Sequence, residues 1–327
     1  MIVVTGAAGF IGSNMIAELA STGDQLIVAC DYWGSGKKWM NVSKHFIADF
    51  VHPDQLLQYI RQEKRIRAVL HLGAISATTE LDIDSLIRTN IRLTIDLWDL
   101  CTELNIVFFY ASSAATYGAL EADLVDDQSP EALAKLRPLN GYSWSKHSVD
   151  RILMQRVSDG ISAPPQWCGL KFFNVYGPNE YHKDDMQSVV SKFFIDVRES
   201  RPIRLFKSHR IGIADGGQCR DFVYVKDCTA VMRWLLDHPH ISGLFNIGTG
   251  EARSFIDLID SMGLALDLPV QYDFVPMPEH LQDRYQYFTQ ANISKLRSTG
   301  YIASFHSVEN GVADYVLNYL DTSDRYR

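Results

Sequence analysis

The segment TGAAGFIG, Thr5–Gly12, constrains the fold more than any other part of the chain. It follows an apolar run of strand length at 2–6 and precedes an amphipathic stretch, so its glycines lie in a strand–turn–helix context. Gly6 permits a tight turn, Gly9 lets a ligand approach the backbone, and Gly12 lets the helix pack close to the strand. The first N–H groups of that helix attract phosphate. The segment therefore predicts dinucleotide binding.

The first half of the chain alternates short apolar runs with amphipathic stretches. We expect strands at 2–6, 25–31, 45–49, 66–73 and 106–113, and helices at 11–22, 53–63 and 84–104. Such alternation predicts an α/β fold, a doubly wound parallel Rossmann sheet with helices on both faces. After Gly177 the pattern loosens, although further helices are expected at 187–199 and 306–321. We predict a Rossmann domain at 1–173 and a smaller, mixed C-terminal lobe at 174–327, some of whose segments return to the first domain.

Charge and cysteine usage exclude several classes of partner. The 31 lysines and arginines against 39 aspartates and glutamates give a net charge of −8, which argues against binding nucleic acid or anionic lipid. The five cysteines form no CxxC pair, so neither a disulfide framework nor a zinc site is expected. No apolar run approaches the roughly 20 residues that span a bilayer. His71 has no second ligand at metal-site spacing, so we predict an interior histidine and no metal. The cysteine pattern and the lack of a bilayer-spanning run predict no membrane association and a cytoplasmic location.

The residues after the second predicted strand bear on the choice of cofactor. Asp31 follows the glycines by about 20 residues, and its carboxylate would accept a hydrogen bond from a ribose hydroxyl, which favours NAD. Lys37 and Lys38 follow closely and would suit the 2′-phosphate of NADP, or would form a solvated basic loop. Local chemistry therefore leaves NAD and NADP both open.

Two further motifs predict proton exchange with an alcohol. In GYSWSK, Tyr142 and Lys146 are four residues apart and share one helix face. The ammonium group would lower the pKa of the phenol, so that the tyrosine exchanges a proton near neutral pH. YASSAATYG ends the preceding strand and places Ser113 where it would bind the reacting oxygen.

Together with KFFNVYGP and CRDFVYVKD, these motifs resemble the extended short-chain dehydrogenase/reductase family, whose members epimerise, dehydrate or reduce nucleotide sugars. The resemblance covers nearly the whole chain. It implies a catalytic triad of Ser113, Tyr142 and Lys146, and a C-terminal lobe that grips a small-molecule nucleotide sugar. HLGAISATTE, FNVYGPNEYHKDDMQSVV, LFNIGTGEARSF and RYQYFTQANISKLRSTGY narrow the resemblance to the nucleotide-sugar 6-epimerases. That group implies tightly held NADP and a ring-like homo-oligomer such as a pentamer.

The resemblance also implies individual site residues. Lys183 is implied as a second catalytic base beside Tyr142, and Lys38 as the partner of the 2′-phosphate. The implied cofactor-binding residues are Gly6, Gly9, Phe10, Ile11, Gly12, Asp31, Tyr32, Lys38, Leu72, Gly73, Ala74, Ile75, Ser76, Asn90, Lys146, Val175 and Lys183. The implied substrate-binding residues are Asn174, Asp185, Lys192, Phe206, Lys207, Ser208, His209, Arg220 and Tyr285.

The sequence departs from that group in three places. Pro53 replaces a lysine expected near the cofactor, Asp185 and Lys192 replace a serine and a histidine expected near the substrate, and the loop at 206–219 is longer. The candidate phosphate partners are therefore Lys207, Arg210, Arg220 and Arg284. The alternative for them is an exposed charge on a loop, except that Arg220 begins a strand pattern and is expected to point inward.

Several alternatives remain at this point. Lys183 would be a surface residue if it paired with Asp184 or Asp185. A C4 epimerase or a 4,6-dehydratase would use the same scaffold, although the alanines after Ser113 disfavour dehydration. A non-catalytic dinucleotide-binding regulator is disfavoured by the intact triad. Among the aromatic residues Tyr285, Tyr287 and Phe288, core packing is the ordinary expectation.

Overall fold

The computed structural model describes residues 1–23, 26–278 and 286–327. Its largest sheet has seven parallel strands in the order β3-β2-β1-β4-β5-β6-β10. The strands of this sheet are β1 Ile2–Thr5, β2 Ile27–Cys30, β3 Asp49–Val51, β4 Ala68–His71, β5 Val107–Ser113, β6 Trp167–Phe172 and β10 Gly243–Ile247. The doubly wound parallel sheet predicted from the sequence is confirmed.

The described helices, numbered in chain order, flank this sheet and build the second lobe. They are α1 Phe10–Ser21, α2 Leu56–Gln62, α3 Ile83–Leu86, α4 Leu93–Leu104, α5 Pro130–Leu133, α6 Gly141–Ser158, α7 Val189–Arg198, α8 Val225–Leu236, α9 Phe255–Leu266, α10 Ser294–Ser298 and α11 Val308–Tyr315. Short 3₁₀ segments span Lys38–Val42, Pro53–Gln55, Ala114–Tyr117 and Tyr181–Met186, and π-helical turns span Ile87–Arg92 and Val316–Leu320. No helix in the described ranges is long and apolar enough to cross a membrane.

Burial on both faces explains why the central strands are continuously apolar. Ile2 and Val4 of β1 pack into one core with α1 and α8, whereas Val3 packs into another with α2 and α4. Successive strand residues point to opposite faces, and here helices cover both. The strand order reverses between β1 and β4, which opens a crevice at their carboxyl ends.

The smaller lobe is assembled around two short sheets. Its strands are β7 Asn174–Tyr176, β8 Ile203–Phe206, β9 Cys219–Tyr224, β11 Ala252–Ser254 and β12 Tyr272–Val275, arranged as β11-β9-β7 and β12-β8. Strand β10 lies between β9 and β11 in the chain but pairs with β6 of the large sheet. The chain therefore crosses between the sheets more than once. The exact boundary at 173 stays a prediction.

The third strand is displaced from its predicted position. Residues 45–49 were expected to form it, but the strand is Asp49–Val51. It lies at the edge of the sheet and pairs only with β2, and Phe50 is 58% exposed. An edge strand of this kind need not be apolar. The prediction from the apolar pattern of 45–49 was therefore wrong about its position.

His71 is the buried interior histidine that the sequence predicted. Its Nδ1 and the Thr5 Oγ1 are 2.7 Å apart, and its Nε2 lies 3.1 Å from the Thr94 Oγ1. Because the Thr94 hydroxyl donates its proton to the Asn90 carbonyl, the His71 Nε2 is the donor to Thr94, and in the neutral ring Nδ1 accepts from the Thr5 hydroxyl. Burial lowers the pKa of His71 to about 3.

We expect His71 to make the fold sensitive to acid. Its pKa in the fold lies below the ordinary 6.5, so its stabilising contribution is present above pH 6.5 and lost as pH falls towards 3. Between pH 6.5 and 5 the loss from this residue is about 2 kcal/mol. Urea denaturation at pH 7 and pH 5 should show a smaller acid loss in His71→Gln than in the wild type. The exposed His240→Gln is the control, and an equal loss in all three proteins would contradict this account.

Candidate active site

The glycine turn brings backbone segments so close together that a side chain at Gly6 or Gly12 would clash with them. Gly6 has φ +62°, and a Cβ built on it would lie 2.7 Å from the Gly73 Cα, across the crevice between β1 and β4. A Cβ on Gly12 would lie 2.0 Å from the Gly6 carbonyl oxygen. Helix α1 begins at Phe10 with no side-chain cap on its N-terminus. This backbone geometry fits the pyrophosphate of a dinucleotide.

Asp31 and Lys38 meet beside this turn. One carboxylate oxygen of Asp31 accepts a hydrogen bond from the Ala8 N–H at 2.8 Å, and the other lies 2.5 Å from the Lys38 Nζ. Tyr32, the next residue, donates its hydroxyl to Asp54 at 2.8 Å and is half exposed. A ribose-binding carboxylate and a phosphate-binding cation are therefore adjacent, so the structure keeps both cofactor chemistries available.

The predicted triad lies at the junction of β5 and α6. Burial raises the pKa of Tyr142, and the Ser113 side chain opposes that rise. Lys146 is 4% exposed, and burial lowers its pKa to about 8. The predicted lowering of the phenol pKa by Lys146 is wrong, because burial raises the pKa of Tyr142 and Lys146 Nζ donates to the Ala111 carbonyl at 2.8 Å.

Asn90 ties this junction to the loop that follows β4. It lies in the π-helical turn Ile87–Arg92, a feature often found at functional sites. Its side chain accepts from the Ile75 N–H at 2.9 Å and donates to the Ile75 carbonyl at 3.0 Å and to the Ser145 hydroxyl at 2.9 Å. The implied cofactor residues Leu72 to Ser76 are thereby held next to Lys146.

A buried charged network that the motifs did not identify lies beneath the triad. Asp150, one turn after Lys146 on α6, accepts hydrogen bonds from Tyr110 at 3.1 Å, Ser112 at 2.7 Å and Lys171 at 2.6 Å. Lys171 also donates to the Thr116 hydroxyl at 2.7 Å. Because every charge is paired, the network fixes the end of β5 against α6. The only sequence signal for Asp150 is its spacing of four residues from Lys146.

Lys183 lies against the start of α1. Its Nζ is 5.1 Å from the centroid of the Phe10 ring. Burial lowers the pKa of Lys183 and nearby Lys192 adds to this, whereas Glu180 opposes it. The alternative pairing with Asp184 or Asp185 is not formed among the described residues, and both aspartates are exposed.

Glu180 is a second residue that the sequence motifs missed. It is fully buried and accepts hydrogen bonds from the Ser188 N–H and hydroxyl, both at 2.6 Å. These bonds close the segment 177–188 into a loop around its own carboxylate. Burial raises the pKa of Glu180, so a negative charge there is costly unless Lys183 stays close.

The implied substrate residues form separate groups. Lys192 on α7 donates to the Asp185 backbone carbonyl, so the two departures from the resembled group contact each other. Phe206, Lys207, Ser208 and His209 end β8 and enter the long loop, and Asn174 lies on β7. Of the implied cofactor residues, Val175 also lies on β7 and Ile11 lies on α1. Arg220 on β9 is 9% exposed, as its strand pattern predicted. Tyr285 and Arg284 lie outside the described residues.

An aromatic and charged cluster connects the long loop to Glu121, which follows the 3₁₀ segment Ala114–Tyr117. Tyr287 is buried, as expected, and its hydroxyl lies 2.8 Å from the His209 Nδ1. Arg210 lies 4.4 Å from the Tyr287 ring and forms a two-pronged ion pair with Glu121 at 2.7 and 2.9 Å. Arg210 is therefore already neutralised and is a weaker phosphate candidate than Lys207.

Comparison with known proteins agrees with this site. The family model described as the NAD dependent epimerase/dehydratase family matches residues 2–248. The chain belongs to this family. This match confirms the resemblance drawn from the motifs. The cofactor type of the family is a nicotinamide dinucleotide. Membership of the family does not decide between NAD and NADP.

Members of the epimerase/dehydratase family similar to this chain share a common name. ADP-L-glycero-D-manno-heptose-6-epimerase of Fusobacterium nucleatum subsp. nucleatum is 46% identical over 335 residues and covers 100% of both chains. The protein of that name from Nitratidesulfovibrio vulgaris strain Hildenborough is 43% identical over 99% of both. The crystal structure of the Helicobacter pylori enzyme of that name has a TM-score of 0.75 at 25% identity, covering 97% of this chain and 95% of that one.

The family fold extends to enzymes with other substrates. UDP-glucose 4-epimerase of Thermus thermophilus in complex with NAD has a TM-score of 0.73 at 22% identity, covering 96% of this chain and 98% of that one. This likeness concerns the fold alone. The chemistry must therefore be argued from the side chains.

Proposed function

We propose that the protein inverts C6 of the heptose in ADP-D-glycero-D-manno-heptose, giving ADP-L-glycero-D-manno-heptose for lipopolysaccharide core biosynthesis. The observation that carries the proposal is the position of Lys183, whose Nζ lies against Phe10 at the start of α1 and whose pKa is lowered by burial. We infer from it that Lys183 is a second proton-exchanging group in addition to Tyr142. The names of the full-length relatives support the choice of substrate. Inversion through a keto intermediate presents the carbonyl to the site in two orientations, and the proposal assigns Tyr142 to one of them and Lys183 to the other.

The proposed reaction is redox-neutral. When bound, the nicotinamide supplies a hydride acceptor and then a hydride donor. Tyr142 removes the proton of the C6 hydroxyl in one epimer, while Ser113 hydrogen-bonds the same oxygen. The C6–H bond breaks to give a 6-keto sugar, which turns its carbonyl before the C–H bond re-forms on the opposite face. Lys183 then protonates the oxygen, and its lowered pKa favours this transfer near neutral pH.

We propose NADP as the cofactor. The support is the resemblance of Lys38 to the residue that meets the 2′-phosphate, together with its position beside Asp31. Lys38→Ala should raise the Kd for NADP about tenfold to hundredfold, the loss of one charge-assisted contact. The Kd for NAD should change by less than about threefold, since NAD lacks that phosphate. Equal weakening of both cofactors, measured by calorimetry, would contradict the assignment.

A substrate panel tests the activity itself. The protein with its bound cofactor is incubated with ADP-D-glycero-D-manno-heptose and, separately, with UDP-glucose, and both are followed by NMR. We expect inversion at C6 of the heptose and none at C4 of glucose. Turnover of UDP-glucose alone would replace the proposal with C4 epimerisation. The homo-oligomeric state and the cytoplasmic location stay predictions, the first of which light scattering would check.

A further inference from the structure

The segment 322–327, here called the anchor segment, follows the π-helical turn Val316–Leu320 and packs against the loop that carries Lys183. The Tyr181 hydroxyl donates to the Arg325 carbonyl at 2.7 Å, and the Arg325 guanidinium lies 4.4 Å from the Tyr181 ring. The Tyr326 ring meets the same ring edge-on at 5.6 Å. Two residues before Lys183, the loop is thus held from outside by the anchor segment.

Arg327 joins that loop to helix α1. Its backbone N–H donates to the Asn179 side chain at 3.0 Å, and its guanidinium donates to Glu18 at 2.8 Å. Weaker contacts reach Asn14 at 3.3 Å and Thr229 at 3.4 Å. Its side chain is 14% exposed, so the ion pair is less screened than one at the surface. Helix α1 begins with Phe10, the ring against which Lys183 lies.

The anchor segment also holds the chain that follows Lys38. Lys44 pairs with Asp324 at 2.7 Å and donates to the Tyr326 carbonyl, and His45 Nε2 lies 3.2 Å from the Arg327 carbonyl. In the same stretch, Asn41 donates to the Ala8 carbonyl at 2.8 Å and to the Asn179 carbonyl at 3.1 Å. One short segment therefore contacts all three pieces of chain around Lys183.

The loop needs such support because its backbone is strained. Asn179 has φ +71° and Asp184, directly after Lys183, has φ +44° and ψ −120°. Non-glycine residues persist in such conformations only where the surrounding structure enforces them. Inside the loop, Glu180 and Ser188 supply part of that enforcement, and from outside the anchor segment supplies contacts at both Asn179 and Tyr181.

We propose that the anchor segment is a positioning element for Lys183, holding its ammonium group over Phe10 in the orientation needed for proton exchange. The inference rests on the proposed role of Lys183 as the second base. It assigns to Arg327, Arg325 and Tyr181 a function in only one half of the reaction, the half in which Lys183 exchanges the proton. Tyr142 does not depend on these contacts.

The test measures each half-reaction separately. Each epimer is mixed with the holoenzyme, and the first appearance of reduced nicotinamide is followed by stopped-flow absorbance for Arg327→Ala and Tyr181→Phe. We expect oxidation of one epimer to slow by roughly tenfold to hundredfold, the effect of a small misplacement of a catalytic group, and oxidation of the other to stay within about twofold. The slowed epimer must be the one that Lys183→Ala slows. Arg201→Ala, an exposed arginine paired with Asp196 and Glu199, is the matched control.

Each other outcome has a definite meaning. If both epimers slow equally in Arg327→Ala and Tyr181→Phe, the segment has a general structural role and the proposal is wrong. If neither slows while Lys183→Ala does, the proposal is wrong and the second base stands. If Lys183→Ala itself oxidises both epimers normally, Lys183 is not the second base of the proposed function, and the inference about the anchor segment is wrong as well. Tyr181→Phe keeps the ring packing, so it remains informative if Arg327→Ala is unstable.

Discussion

Tyr142→Phe is expected to lower kcat by about 10²–10⁴-fold, the contribution of one positioned acid–base group. The change removes only the phenol hydroxyl and leaves the ring packed at the start of α6. Binding of the cofactor and the thermal midpoint should therefore stay close to the wild-type values.

Steady-state turnover of the nucleotide sugar, followed by NMR, measures the effect. Tyr59→Phe is the matched control, since Tyr59 lies on α2 and contacts Met1 through its hydroxyl. Wild-type turnover in Tyr142→Phe would show that another group exchanges the proton. If Tyr142→Phe fails to fold, Ser113→Ala is the second test. We expect it to lower kcat as well.

Lys183→Ala is expected to abolish complete epimerisation, with a decrease of about 10³-fold or more, while cofactor binding largely survives. Tyr142 remains able to oxidise one epimer, so a single turnover should still produce reduced nicotinamide from that epimer. The ketone formed then lacks the group that protonates it in its other orientation.

The measurement compares single-turnover cofactor reduction with overall inversion in the same preparation. Lys64→Ala, an exposed lysine that donates to the Arg61 carbonyl, is the control. Normal inversion by Lys183→Ala would show that Lys183 is not a catalytic base. Loss of the cofactor from the variant would instead show that Lys183 retains the cofactor, and this would contradict its proposed role as a base.

The first half of the fold was predictable because parallel strands buried on both faces are apolar at most positions. Strand β5 was expected at 106–113 and lies at Val107–Ser113, and the helix expected at 187–199 lies at Val189–Arg198. The edge strand β3 was misplaced because one-sided pairing and an exposed Phe50 leave no apolar pattern.

The glycine turn and the triad were predictable because local spacing fixes them. Gly6, Gly9 and Gly12 follow one strand, and Tyr142 and Lys146 share one helix face. The contact of Lys146 with the Ala111 carbonyl was not predictable, because the two are brought together only when α6 packs on β5.

Contacts between distant parts of the chain escaped the sequence altogether. The pair of Asp150 with Lys171 joins a helix to the following strand, and the Tyr181–Arg325 bond joins residues far apart in the chain. No periodicity encodes such pairs, since they depend on how the two lobes pack. Asp185 and Lys192 looked like unrelated departures, whereas the structure shows the lysine bound to the aspartate backbone.

Deuterium placed at C6 of ADP-D-glycero-D-manno-heptose tests the central claim most directly. Because the proposed reaction moves hydrogen from C6 and back within one site, the product should be inverted at C6 and should keep the deuterium there, as seen by NMR and mass spectrometry in ordinary water. Inversion with loss of the deuterium to solvent, or retention of the original configuration at C6, would contradict the proposed removal and return of hydride at C6.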